Sequence, residues 1–349
     1  MNILGISGFE NAMPFKRAHW PGLDEREYRI SQGHDSAAAL VVGGKIIAAV
    51  AEERISRQKH TGAFPKGAIE SCLAIGGIGI RDIDRIVHGF DYRAYKSVYE
   101  ADPVSQEVYR DVYSPEALLA QVARDLPGYP ADRVGHVPHH VAHAASAYYT
   151  SGWDECLTVV VDGMGEAQSA TVFLARGGRL RRMFQVSARD SIGVLYSLVT
   201  LHLGFDFNAD EYKIMGLAPY GDPRRFHAFF EEAVELRSEG RMHIPLLRMN
   251  RTREERENYS ASREYLTERL IPARCPDSEL TDAHRDVAAA LQARLDQTLL
   301  HLCTHFASVT GQRRLALAGG VALNCTANGG LLRSGAFDEI YVQPAAGDD

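Results

Sequence analysis

The sequence predicts an α/β fold made of two related halves with a cleft between them. Three observations carry this reading. A short strand, a glycine-linked hairpin and a helix open the chain. A second buried strand and a second glycine-linked hairpin recur after residue 155. A long periodic helix then runs into a strand that ends in Gly319-Gly320. In open α/β folds of this kind, ligands bind in the turns beyond strand ends. The 349 residues leave room for about two domains of roughly 100–200 residues each. The halves are expected at 1–150 and 151–349.

Ile3-Leu4-Gly5-Ile6 is short and apolar and reads as a strand. Ala37–Val42 and Lys45–Val50 flank Gly43-Gly44, a two-residue hairpin signal. Between these strands lies a polar insert, Phe9–Gln32; a loop of that length in a compact domain is usually functional. Ala68–Ile75 reads as a helix closed by Gly76-Gly77. Arg85–Phe90 reads as a strand, and Pro115–Asp125 and Val141–Tyr149 as helices. Leu157–Val161 is a buried strand ending in Asp162-Gly163, and Thr171–Ala175 pairs with Arg179–Val186 across Gly177-Gly178.

The stretch from Asp222 to Ser278 is charged and mixed, and is read as a helical insert with a solvated face. After it, Val287, Leu291, Leu295, Leu299, Leu302, Phe306 and Val309 recur at steps of four and three, which predicts a helix that stops at Gly311. Leu315–Ala318 and Ile340–Val342 complete the strands.

Composition narrows the function. Hydrophobic residues make up 45% and charged residues 24%, and the net charge is −7. An acidic chain does not suit nucleic-acid binding, which needs clustered Lys and Arg to neutralise phosphates. The five cysteines (Cys72, Cys156, Cys275, Cys303, Cys325) show no CxxC spacing and no even framework, so reduced thiols in a cytoplasm are expected. No leader is read in Met1–Ser7, and no apolar run reaches the ~18 residues of a membrane span.

Pro138-His139-His140-Val141-Ala142-His143 is the sharpest local pattern. Proline suits a first helical turn. His139 and His143 then share one face, the spacing two imidazoles need to grip one ion. A bare HxxxH also occurs as two packed histidines. Asp162 and Asp348 each follow an apolar strand and could add carboxylates, or could be ordinary turn residues. Two histidines with one or two carboxylates suit Fe(II), Mn(II) or Zn(II). Three glycine-bearing segments follow strands: Gly5–Gly8, Glu211–Gly221 and Ala318–Asn324. Glycine lets backbone N–H groups approach phosphate, and Lys213 could add a point charge. On this reading Lys213, Gly216, Gly319, Gly320 and Asn324 are nucleotide contacts, although neither a Walker nor a dinucleotide pattern is present.

Taken together, the segments resemble the O-carbamoyltransferases of the nodulation and antibiotic-biosynthesis type. The resemblance is carried by Gly33-His34-Asp35-Ser36-Ala37-Ala38-Ala39-Leu40, Glu52–His60 and Phe64-Pro65. It continues through His139–Ala144, Val161-Asp162-Gly163, Ser191–Tyr196, Lys213–Gly221, Ala318–Asn324 and Gly347-Asp348. It implies a duplicated actin-like, sugar-kinase-like (ribonuclease-H-like) fold with a central cleft, related to the enzymes that place threonylcarbamoyl on tRNA. It implies an iron-type divalent metal at His139, His143, Asp162 and Asp348, with zinc and manganese left open. The family uses carbamoyl phosphate and ATP to make carbamoyl-adenylate, then carbamoylates a hydroxyl of a small metabolite.

Within that chemistry His34 is expected as the base or as the residue that orients the acceptor, and Lys59 as the hydrogen-bond donor to the carbamoyl oxygen. A tRNA-modifying enzyme and a non-catalytic nucleotide-binding module are the alternatives. Homodimerisation is left open. In the family a Gly-Ala-rich helix and an adenylate-forming domain follow the Asp pair, whereas this sequence ends at Asp349; it is read as a fragment.

Overall fold

A computed structural model describes residues 1–348. The chain divides into two compact units. The first comprises Met1–Leu23, Ser31–Ala142 and Asp348, the second Asp24–Ile30 and His143–Gly347.

The first unit is built on a five-stranded sheet. Its strands are β1 (Asn2–Ile6), β2 (Ala37–Val42), β3 (Lys45–Ala51), β4 (Arg85–His88) and β5 (Val134–His136), in the order β3-β2-β1-β4-β5. β1 pairs antiparallel with β2 and parallel with β4, and β4 pairs parallel with β5. Gly43 and Gly44 turn the β2–β3 hairpin at φ +57° and +83°, a turn that needs positive φ at both centres and so favours glycine. Helix α1 (Lys66–Gly76) buries Ala68, Ile69 and Cys72 on one face and ends at Gly77, whose φ of +64° supplies the left-handed cap. Leu4, Leu40, Ile69, Cys72, Ile83 and Ile86 form the core of this unit. The polar insert holds a helix, Ala12–His19.

Helix α2 (His139–Ser151) follows Pro138, whose carbonyl accepts from Val141 and Ala142 at 2.9 and 3.0 Å. It begins at His139, two residues before the position expected from sequence.

The second unit repeats the topology. Strands β6 (Glu155–Gly165), β7 (Gln168–Arg176) and β8 (Arg179–Ser187) form an antiparallel meander, turned at Gly177 and Gly178 with φ +54° and +71°. A two-stranded ribbon follows, β9 (Glu235–Leu236) with β10 (Met242–His243). β11 (Arg314–Ala318) lies parallel to β6 and β12 (Glu339–Val342) parallel to β11, giving the order β12-β11-β6-β7-β8. Read from the meander, both sheets have the same order and the same strand senses. This is the duplicated actin-like, sugar-kinase-like architecture that the resemblance implies.

Helix α3 (Ile192–His202) is buried along its whole length, as befits a helix apolar on every side. Helix α4 (Ser260–Arg269) belongs to the charged insert. Helix α5 (Asp282–Thr310) buries Val287, Leu291, Leu295, Leu299, Leu302 and Phe306 and is closed by Gly311 at φ +69°. Helix α6 (Cys325–Arg333) follows the Gly319 turn.

Two local expectations need correction. β6 does not end before Asp162 but runs to Gly165, with a register shift between Val161 and Gly165, so Asp162 sits where the ladder is interrupted. The 222–278 stretch is not only a solvated face: Phe230, Ala233, Leu246, Leu247 and Leu266 join the core of the second unit. The Arg251–Glu257 run at its centre is largely exposed, as its charge implies. No helix among the described residues is long and apolar enough to cross a membrane.

Candidate functional site

In the first unit, the His139 ring is fixed in both tautomer and tilt. Nδ1 lies 3.1 Å from the Gly89 carbonyl oxygen, and the ring stacks on Phe90 with centroids 3.9 Å apart and planes 13° apart. A carbonyl can only accept, so Nδ1 carries the proton and the lone pair of a neutral ring sits on Nε2. Nε2 lies 3.2 Å from Asp348 Oδ1, and both side chains are mostly shielded. Asp348 is tied down in turn, its carbonyl accepting from Ser7 Oγ at 2.8 Å. Asp349 lies outside the described residues.

In the second unit, His143 stands one turn further along α2, and its Nε2 is 3.9 Å from Asp162 Oδ2. Asp162 is held by its surroundings. Oδ1 accepts from the Gly320 backbone N–H at 3.1 Å, and Ser191 Oγ donates to the Asp162 and Gly163 carbonyls. Close packing makes glycine necessary here. A Cβ at Gly193 would stand 2.7 Å from the Asp162 carbonyl oxygen, and one at Gly319, where φ is +89°, would stand 2.3 Å from the Val161 carbonyl oxygen. Thus the Gly319-Gly320 turn, singled out as a nucleotide contact, also orients a carboxylate.

The segments 33–36 and 57–62 of the first unit fold onto each other. Ser36 N–H donates to the Thr61 carbonyl, and Gly33 adopts φ +82° where a Cβ would meet Phe9 at 2.4 Å. His34 is buried, with Nε2 3.0 Å from Ser31 Oγ and Nδ1 3.4 Å from the His60 carbonyl. Lys59 is exposed.

Next to them stands a pair that sequence reasoning missed. His60 Nδ1 lies 2.8 Å from Asp35 Oδ1, and the His60 backbone N–H donates to Glu53 Oε2 at 3.0 Å. Asp35 and His60 both adopt left-handed backbone, at φ +60° and +55°. Both residues lie in the segments that carry the family resemblance, and that was the only signal for them. Glu52 was missed as well: it is buried and its Oε2 accepts from Ala68 N–H at 2.7 Å, capping α1.

The nucleotide candidates belong to the second unit. Lys213 sits on the helix Glu211–Leu217 with Nζ 2.8 Å from Asp210 Oδ1 and 5.5 Å from the Phe205 ring centre. Pairing with Asp210 raises its pKa, so it stays charged. Gly216, on the same helix, is exposed. Asn324 is engaged on both ends of its amide. Its Oδ1 accepts from Ala327 N–H and Gln292 Nε2, both at 3.0 Å, and its Nδ2 donates to Gln292 Oε1 at 2.9 Å. The network continues to Tyr196, whose hydroxyl donates to Gln292 at 3.0 Å, and to Asp296, whose carboxyl burial pushes upward in pKa. The structure therefore groups Gly319, Gly320 and Asn324 in one turn. Lys213 and Gly216 lie on a helix that packs against α5.

The family model described as the carbamoyltransferase N-terminus matches residues 28–349. The chain belongs to this family. Among curated relatives, the chain is similar to the nodulation protein NolNO of Sinorhizobium fredii, at 38% identity over 317 residues covering 90% of this chain and 44% of that protein. It is also similar to the uncharacterized protein sll1178 of Synechocystis, at 34% identity over 343 residues covering 90% of this chain and 53% of that one. The chain thus spans about half the length of these relatives. Among solved structures it is similar to component A of the (R)-2-hydroxyglutaryl-CoA dehydratase of Acidaminococcus fermentans. The identity is 14%, covering 90% of this chain and 91% of that one, with a TM-score of 0.46.

Proposed function

We propose that this chain holds one divalent metal ion, iron in first place, through His139, His143, Asp162 and Asp348. We further propose that it carries the transfer half of an O-carbamoylation: a carbamoyl group passes from carbamoyl-adenylate, made from carbamoyl phosphate and ATP, to a hydroxyl of a small metabolite in natural-product biosynthesis. The observation that carries the metal reading is the His139–Asp348 contact. With Nδ1 committed to the Gly89 carbonyl, a neutral imidazole turns its lone pair toward a carboxylate oxygen 3.2 Å away. Two acceptors at that distance, both shielded from water, repel unless a cation or a proton lies with them. His143 and Asp162 supply a second imidazole and a second carboxylate, also shielded. Two nitrogens and two carboxylate oxygens without a thiolate form the donor set of Fe(II), Mn(II) or Zn(II).

When bound, such an ion supplies Lewis-acid neutralisation of phosphate charge on the leaving AMP. The rest falls to side chains. The acceptor oxygen forms a bond to the carbamoyl carbon, the carbon–oxygen bond to the phosphate breaks, and AMP leaves with that electron pair. The hydroxyl proton goes to His34 Nε2. A hydroxyl, that of Ser31, already lies 3.0 Å from this nitrogen, which supports its fitness to meet a second hydroxyl in the substrate. Lys59 donates to the carbamoyl oxygen as charge develops there. The backbone N–H of Gly319 and the ammonium of Lys213 hold the nucleotide phosphate.

The reading is tested by giving the protein radiolabelled carbamoyl-adenylate and a panel of polyhydroxylated acceptors. Label should move to one acceptor class in step with AMP release, and His34→Asn should slow it by roughly 10²–10⁴-fold. Metal-loaded protein that transfers label to no acceptor, and only hydrolyses the adenylate at the uncatalysed rate, would sink the transferase reading.

A further inference from the structure

A cavity of about 240 Å³ lies wholly within the second unit. Arg26, His202, Ser260, Arg263, Thr267 and Arg274 line it. It is too small for the ~300 Å³ and upward that drug-sized ligands occupy, so its occupant is a small molecule or a single polar group.

The three guanidinium groups are not equally compensated. Arg263 is paired with Glu27, and Arg26 Nε donates to Asp24 Oδ1 at 3.0 Å. Arg26 Nη1, however, is shut off from solvent and meets no acceptor. Arg274 is buried and donates to neutral carbonyl oxygens. Nε donates to the Leu203 carbonyl at 2.6 Å, and Nη1 donates to the carbonyls of Pro276 and Ser278. Its guanidinium also lies 4.9 Å from the centre of the Phe205 ring. Burial acts against the charged form of Arg274, as does the nearby charge of Arg26, while the Asp277 carboxylate offsets part of this. The one acid on the lining, Glu264, is exposed.

A buried guanidinium with no carboxylate bonded to it, and a buried N–H without an acceptor, are each costly. An anion in the cavity would offset both. Ser260 opens helix α4, whose start has no side-chain cap, and its hydroxyl adds a neutral donor to the charged ones. Planar guanidinium forks match tetrahedral oxyanions better than they match single-point acceptors.

We propose that this cavity is an oxyanion subsite that takes the phosphate group of a small phosphorylated molecule, held by Arg26, Arg263 and Arg274. Arg26 comes from the Phe9–Gln32 insert and the other two from the charged 222–278 stretch, so both segments that interrupt the fold serve the subsite. The inference does not depend on the carbamoyl-transfer reading.

The test is thermal unfolding and calorimetric titration of the protein with inorganic phosphate and, separately, glycerol 3-phosphate, with ionic strength held constant by chloride. Phosphate should raise the melting temperature by roughly 2 °C or more at saturation. Arg26→Gln and Ser260→Ala should each weaken binding, Arg26→Gln by about tenfold or more. Tighter binding of glycerol 3-phosphate than of free phosphate assigns the subsite to an esterified phosphate; equal binding assigns it to the ion itself. Absence of binding to the wild type overturns the proposal. So does binding undiminished in both variants, which would place the anion elsewhere. Should Arg26→Gln fail to fold, Ser260→Ala and Arg263→Gln carry the same comparison.

Discussion

Gly319 adopts φ +89° at the end of β11, and a Cβ there would stand 2.3 Å from the Val161 carbonyl oxygen. Both the dihedral and the space forbid a side chain. Gly319→Ala should therefore destabilise the fold by about 2 kcal/mol or more. A urea titration checks this, as a lower midpoint at unchanged slope. Unaltered stability would mean that the turn relaxes easily and does not fix Asp162. The metal candidates were legible at this scale because α2 is a helix and helical spacing alone puts His139 and His143 on one face. Asp162 and Asp348 were legible as residues that follow apolar strands. The Asp35–His60 pair was not legible, because its partners are 25 residues apart and meet only when both adopt left-handed backbone. Asn324 shows the converse. Its glycine-rich neighbourhood suggested a phosphate contact, and its amide is bonded to Gln292 and to the start of α6, a distant pairing with no mark in the local pattern.

Helices and hairpins carry the most readable code in this chain. The two Gly-Gly turns and the four-and-three spacing of α5 each depend on local periodicity or on φ alone, and the structure has all three. Leu295 lies in the middle of that spacing and is 2% exposed. Leu295→Ala should cost roughly 2–5 kcal/mol, through lost burial and the cavity left behind, and chemical denaturation measures it. Glu52 acts on a neighbouring element rather than its own. It accepts from the N–H at Ala68, so Glu52→Ala should leave a buried donor unpaired and cost about 1–3 kcal/mol. A loss indistinguishable from zero would show that water replaces the carboxylate. The interruption of β6 at Asp162 was hidden from sequence, since a ladder irregularity depends on how the partner strand β7 is registered. The apolar residues of the 222–278 insert were hidden for a related reason: Phe230, Leu246 and Leu266 are spread among charges, and only tertiary packing gathers them.

Across the whole molecule, pH sensitivity has an identifiable source in the first unit. His88 is fully buried with Nε2 3.0 Å from the Gly8 carbonyl, and burial pushes its pKa down to about 4 from an ordinary 6.5. Between those values the unfolded chain binds a proton that the folded chain refuses, so stability rises with pH across that window and is lost as pH falls through it. The loss should be on the order of 3 kcal/mol, and His88→Gln should flatten that part of the stability–pH curve. The duplicated sheet order could be anticipated from the recurrence of strand and hairpin, and the family from motifs spread from Gly33 to Asp348. The acceptor could not be, because no motif in the sequence addresses it. The metal centre is tested by the metal content of protein purified anaerobically and then reconstituted with Fe(II), in the wild type, His143→Ala and Asp162→Asn. About one ion per chain is expected in the wild type and none in either variant, with the apo proteins folded alike. A wild type that binds no Fe(II), Mn(II) or Zn(II), or variants that keep a full complement, would contradict it.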